Sequence, residues 1–320
     1  MIRFLLLILA VFASPALATT SDPSHMTPHV ASGRIVTWAA LDAGAAGPIT
    51  VWVWLPPGYD AHKTAHYPVL YMHDGQNLFD RALTMFDQEW GLDQAISRMA
   101  AQGDLRKWIV VGLQSPRARY NVLFPAKILP LLSPAFQNRV RTLDSGDAKG
   151  AFASGAYLDF LVNTVKSRVD KSFRTLPTRS DTAVMGSSMG GLMAFYAMAE
   201  YPDVFGQAAC VSMHAALASA TEKGVDHVAL AAEAVAAFDR YLASSRMRPG
   251  RNRLYIDHGI KTSDGSYGPY TDALVPMLHR RGWNDGPDFE FRTFSGAEHN
   301  ETAWRERIDI PLAFLDAKDP

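Results

Sequence analysis

The sequence predicts an α/β protein with a mostly parallel central sheet flanked by helices on both faces. Three observations lead there. Short apolar runs rich in Val, Ile and Tyr alternate with helix-like stretches along the chain. The runs VLYM, IVVGL and TAVM are apolar at every position, as strands covered on both faces of a parallel sheet must be. The chain of 320 residues is long enough for one large domain with a substantial core. Strand-helix alternation of this length implies a layered sheet, and ligands of such sheets gather beyond the carboxyl ends of the strands.

The elements follow in order. MIRFLLLILAVFASPALA has a basic start at Arg3, an apolar run to Phe12 and small residues before the expected cleavage point after Ala18. That is the pattern of a secretory signal peptide over 1–18, and export to the periplasm or medium is expected. The apolar stretch is too short to span a bilayer, and no later segment reads as a span. Residues 19–33 are polar and proline-bearing and read as a flexible lead-in to a domain over 34–320. Strands are expected at 48–56, 67–75, 107–115, 182–187, 205–212, 253–259 and 289–296. The first, PITVWVWLP, alternates like a half-exposed antiparallel strand. Helices are expected at about 88–101, 154–173, 190–200, 226–246, 268–281 and 301–316. The stretch 115–153 lacks a steady period and reads as a lid-like insertion, either a lid or one wall of a pocket.

Composition narrows the function. The formal net charge is −1 and becomes one unit more negative if Arg3 is removed with the leader. No basic tract interleaved with aromatics is present, so the footprint of a nucleic-acid binder is missing. Cys210 is the only cysteine, which excludes a disulfide within the chain and a thiolate metal cluster; its setting, AACVS, reads as a buried small hydrophobe. The pairs His25/His29 and His62/His66 have i,i+4 spacing but lie in polar loop sequence without H-E-x-x-H, so no metal site is expected. Trp52 and Trp54 share one strand face and would pack in the core or stack on a sugar.

The chemistry concentrates in TAVMGSSMGGLMAFYAMAE, residues 182–200. Gly186-Ser187-Ser188-Met189-Gly190 fits G-x-S-x-G with Ser188 at the centre, whereas centring on Ser187 would put methionine at both glycine positions. The bare pattern is weak, but here a strand precedes it and a helix follows, as a nucleophile elbow requires. Glycine is needed two residues to either side because a side chain there would strike the neighbouring strand or helix. The Met189 N–H, at the helix N-terminus, is placed to donate to an oxyanion. A serine hydroxyl needs a base, and in this architecture carboxylate and then histidine follow the serine along the chain. His299 lies in the loop after the last expected strand, just before the final helix. Asp264 and Asp257 both qualify as the acid by position. The loop placement of Asp264 favours it, since the acid must reach sideways toward the histidine; Asp257, at the strand end, is the alternative.

Four segments together, YPVLYMHDGQNLFD, TAVMGSSMGGLMAFYAMAEYPDVF, LYIDHG with DGSYGPY, and SGAEHNETAWRER, resemble the esterase-D-like, feruloyl and siderophore esterase branch of the α/β-hydrolases. The resemblance implies the α/β-hydrolase fold, hydrolysis of a carboxylic ester through an acyl-enzyme on Ser188, and His299 as base. It also implies a second oxyanion donor from the backbone N–H near Gln76, no cofactor, and a small-molecule or polysaccharide-linked ester as partner. Acyl transfer to a sugar or alcohol, as in secreted mycolyltransferases of this fold, and a catalytically inactive binding protein are the alternatives. Arg117 and Arg119, at the start of the insertion, read either as contacts for an anionic substrate group or as solvated loop charge. His214, at the end of the strand after the elbow helix, reads either as a pocket residue or as a structural histidine.

Overall fold

Eight strands form one sheet: β1 (Arg34–Asp42), β2 (Pro48–Leu55), β3 (Val69–Met72), β4 (Ile109–Leu113), β5 (Thr182–Ser187), β6 (Gln207–Val211), β7 (Arg253–Gly259) and β8 (Phe289–Phe294). In this computed structural model, which describes residues 26–84, 86–143 and 150–317, the strand order is β1-β2-β4-β3-β5-β6-β7-β8. β2 pairs antiparallel with β1 and β4, and all remaining neighbours are parallel. The expected signal peptide and the start of the lead-in, including His25, lie outside the described residues.

Side-chain alternation along the central strands builds two cores, one on each face. Leu70, Met72, Val110, Met185, Ala209 and Tyr255 meet the helices Leu92–Gln102, Glu301–Arg307 and Asp309–Asp316. Val69, Tyr71, Val111, Val184, Cys210 and Ile256 meet Met189–Glu200, His227–Leu242, Ser263–Arg280 and the long helical run over 154–172. That run carries a π-helical turn, Phe160–Lys166, at its centre.

Several elements differ from the sequence expectation. β1 was absent from it, because RIVTWAALD lies at the sheet edge, is nowhere fully buried and is broken by a register shift between Trp38 and Leu41. β2 is antiparallel as expected, but it is buried from Ile49 to Leu55 rather than half exposed. Residues of the lead-in provide part of that cover: the indole N–H groups of Trp52 and Trp54 donate to the carbonyls of Met26 (3.0 Å) and Ser32 (2.7 Å). The amides of Ala31 and Ser32 in turn bond Asp93. This end of the lead-in is fastened to the domain, and neither tryptophan is open to a ligand. The helix expected from 268 begins at Ser263, and the last helix divides before Asp309. Pro311 has no N–H to bond back to Arg307, which breaks the helical ladder at that point. The insertion folds into short helices, Arg119–Leu123 and Pro134–Arg141, over the core. His62 and His66 lie in irregular backbone, not on a helix.

Candidate active site

Ser188 sits between β5 and the helix Met189–Glu200 with φ 56° and ψ −121°, a conformation non-glycine residues rarely adopt. The turn is held by β6 and the segment after it. The Ser188 N–H donates to the Val211 carbonyl (3.0 Å), and the Ser188 carbonyl accepts from the His214 N–H (3.1 Å). A methyl group on Gly186 would lie 2.6 Å from the Gly190 carbonyl carbon, and one on Gly190 would lie 3.0 Å from Asp74 Oδ2. Gly186 is therefore required by the close approach of strand and helix, and a side chain at Gly190 would press on the β3 loop. Ser187 is buried beside Ser188.

His299 follows β8 and immediately precedes the helix N-cap, Asn300. Its backbone N–H donates to Thr262 Oγ1 (2.8 Å), and its Nδ1 lies 2.7 Å from Asp264 Oδ1. Tyr267 and Trp304 pack edge-on against the ring, with centroids at 5.2 and 5.1 Å. Asp264 is wholly buried in the first turn of Ser263–Arg280 rather than in a loop. Its Oδ2 accepts from Ser212 Oγ (2.7 Å) and the Gly259 N–H (2.7 Å). Burial raises the Asp264 pKa, but the hydrogen bonds from His299, Ser212 and Gly259 outweigh it and hold the carboxyl below its usual range.

Asp257 is placed differently. It is buried at the end of β7, accepts from the Ser212 N–H (3.0 Å) and the Tyr255 hydroxyl (2.9 Å), and pairs with Arg307 at 3.1 and 3.2 Å. Its oxygens are committed to that ion pair, and His299 is bonded to Asp264 instead.

Ser188, His299, Gln76, Arg117 and Arg119 line one cavity of about 910 Å³, together with Phe86, Glu301 and Trp304. Met189 opens the elbow helix directly beside it. Gln76 lies in the turn Gly75–Asn77 after β3. Its side-chain amide exchanges two hydrogen bonds with Ser115, donating to Oγ (2.8 Å) and accepting from N–H (3.0 Å). The same turn is tied to the His299 loop, since Asn77 Nδ2 donates to Glu301 Oε1 (2.8 Å). Burial, helped by the nearby Asp74 charge, pushes the Glu301 carboxyl above its usual value.

The three residues offered as substrate contacts fall in different settings. Arg119, at the cavity wall, forms a bidentate pair with the buried Asp74 (2.8 and 2.6 Å). Arg117 remains exposed at the cavity wall. His214 is buried and does not line the cavity. Its ring packs edge-on against Tyr267 at 4.7 Å, and burial, with His299 and the Arg119 guanidinium nearby, lowers its pKa to about 3. Ser212, Glu301 and Asn77 were not singled out in the sequence. Single polar residues at element ends carry no pattern, so only their placement reveals them.

Among the described residues, no group of three or more His, Cys, Asp or Glu is placed to hold a metal, and no helix is long and apolar enough to cross a membrane.

Sheet order, helices on both faces and a strained serine elbow after β5 define an α/β-hydrolase. Residues 44–313 match the family described as "Putative esterase". The chain belongs to that family. It is 22% identical over 173 residues to the curated "Uncharacterized protein YbbA" of Bacillus subtilis (strain 168), spanning 54% of this chain and 60% of that relative. Among solved structures it resembles a "ferulic acid esterase" (TM-score 0.58, 15% identity, 88% of this chain and 98% of that one). It also resembles an "IroE-like serine hydrolase" from Shewanella oneidensis (TM-score 0.59, 16% identity, 88% and 79%). At these identities the structural likeness speaks for the fold.

Proposed function

We propose that this protein is an exported serine esterase that cleaves small-molecule or polysaccharide-linked carboxylic esters through an acyl-enzyme on Ser188. The observation that carries the reading is the 2.7 Å bond between His299 Nδ1 and the buried Asp264, on the wall of the cavity that also holds Ser188 at its strained turn. A carboxylate on Nδ1 keeps the proton there and leaves Nε2 free to act as base.

In the first step His299 Nε2 takes the Ser188 Oγ proton as Oγ attacks the ester carbonyl carbon. The oxyanion accepts from the Met189 and Gln76 backbone N–H groups, the former at the positive end of its helix. His299 then gives the proton to the departing alcohol oxygen as the carbon–oxygen bond breaks. Water enters, loses a proton to His299, and attacks the acyl-enzyme; the proton returns to Ser188 as the acid leaves. Asp264 stays ionised throughout and stabilises the imidazolium. Arg117 is assigned to an anionic group of the substrate on the strength of its exposed place at the cavity wall. Export rests on the leader pattern ending at Ala18.

The test is a panel of feruloyl, acetyl and aryl esters run on the wild type and Ser188→Ala, with fluorophosphonate labelling in parallel. Label should attach to Ser188 alone, and S188A should lose turnover on every ester. Hydrolysis persisting in S188A at wild-type rate refutes the mechanism. Sequencing the amino terminus of protein recovered outside the cytoplasm checks cleavage after Ala18.

A further inference from the structure

Ser212 lies just beyond β6 with φ 44°, in the left-handed region that favours glycine. A wholly buried serine kept there costs backbone strain. Its backbone N–H donates to Asp257 Oδ1 (3.0 Å), and its hydroxyl has a full set of partners. Trp304 Nε1 donates to Oγ at 2.9 Å and Arg307 Nη2 donates to it at 2.9 Å. Indole and guanidinium nitrogens are donors only, so both Oγ lone pairs are occupied. The single hydroxyl proton has one remaining acceptor, Asp264 Oδ2 at 2.7 Å.

The direction of that hydrogen bond is therefore set from outside the Ser-His-Asp array. Asp264 Oδ2 receives the Ser212 hydroxyl and the Gly259 N–H, which leaves Oδ1 for His299. Arg307 cannot turn away, because it is held by Asp257 and by the Ala303 carbonyl. We infer that Ser212 is a positioning residue for ester hydrolysis, locking the Asp264 carboxylate in the rotamer that keeps His299 oriented toward Ser188. Trp304 and Arg307 enforce the direction of its hydroxyl. The inference rests on the mechanism proposed above and extends it to a residue that touches no substrate.

The test compares the wild type, Ser212→Ala, Ser212→Gly and Ser188→Ala on one aryl ester, measuring kcat, KM and thermal unfolding. The low-field proton NMR resonance of the His299 Nδ1 hydrogen is followed in the same samples. Ser212→Gly is included because glycine suits the observed φ and relieves the strain, so it folds even if the alanine variant does not. Removing the hydroxyl should lower kcat roughly ten- to a hundred-fold, the scale of a small misplacement of a reacting group. KM should stay within about two-fold, since no group bound to substrate is altered. The low-field resonance should broaden or vanish as the carboxylate gains freedom to rotate. A folded S212G enzyme with wild-type kcat and an intact resonance, alongside an inactive S188A, overturns the Ser212 role alone. Full turnover by S188A would instead overturn the underlying mechanism, and this inference with it.

Discussion

Replacing Asp264 by Asn changes one oxygen to an amide nitrogen, and the surrounding donors dictate which one. Two groups converge on Oδ2: the Gly259 N–H at 2.7 Å and the Ser212 hydroxyl at 2.7 Å. The Ser212 proton has no other acceptor because Trp304 and Arg307 occupy the oxygen's lone pairs. The asparagine carbonyl must therefore take the Oδ2 place, and its NH2 then faces His299 Nδ1, where Oδ1 now stands at 2.7 Å. A donor opposite Nδ1 selects the tautomer with the proton on Nε2, which removes the base from Ser188. In a serine hydrolase this tautomer error costs about 10⁴ in kcat, or about 5 kcal/mol of transition-state stabilisation. Asp264→Asn should therefore fold, bind ester with little change in KM, and turn over an aryl ester at about one ten-thousandth of the wild-type rate. Its fluorophosphonate labelling should slow in parallel. Asp257→Asn is the control: it weakens the partner of the buried Arg307 and should act mainly on thermal stability. If D264N keeps kcat within ten-fold of the wild type while folded D257N is inactive, the assignment of the acid is wrong.

Three further outcomes are expected. His73 and His214 are buried and burial lowers their pKa values to about 4 and about 3, below the usual value of about 6.5 in the unfolded chain. Their stabilising contribution is complete above that unfolded value and is lost as pH falls toward the folded values, since the unfolded chain then binds more protons. Urea unfolding from pH 6.5 to 5 should show each residue adding a slope that steepens from about 0.7 toward about 1.4 kcal/mol per pH unit; an equal slope in the folded His73→Gln, His214→Gln double variant would refute this. Arg119→Met strands the buried Asp74 carboxylate and should destabilise by about 2–3 kcal/mol, less than the loss at a fully buried pair because Arg119 is partly solvated. Arg117→Ala, at an exposed site, should leave stability within about 0.5 kcal/mol and raise KM for anionic esters only, as steady-state kinetics on matched neutral and anionic substrates would reveal.

Much of the architecture was legible because local signals and tertiary burial agree. TAVM, IVVGL and VLYM are apolar at every position, and the sheet buries all of them. RIVTWAALD carries no clear strand signal, since an edge strand gains only one hydrogen-bonded neighbour and shows no sharp alternation of burial. The helix holding Asp264 begins five residues before its sequence signal, because Gly265, Gly268 and Pro269 weaken its first turns. The protein forms those turns where Asp264 can bond Gly259, Ser212 and His299 at once.

By itself, the sequence determined the sheet-and-helix alternation, the elbow at Ser188 and the loop position of His299. Each follows from residue spacing or from the conformational demand of a glycine, and both are local properties. Which carboxylate meets His299 was decided only by the tertiary structure. Asp257 and Asp264 stand seven positions apart with the same charge and chemistry. The fold turns one toward Arg307 beneath the sheet end and brings the other to 2.7 Å from the imidazole. Arg117 and Arg119 divide in the same way, one paired with Asp74 and one exposed. Side-chain partners drawn from distant segments depend on how those segments pack, and that information is not contained in any short stretch of chain.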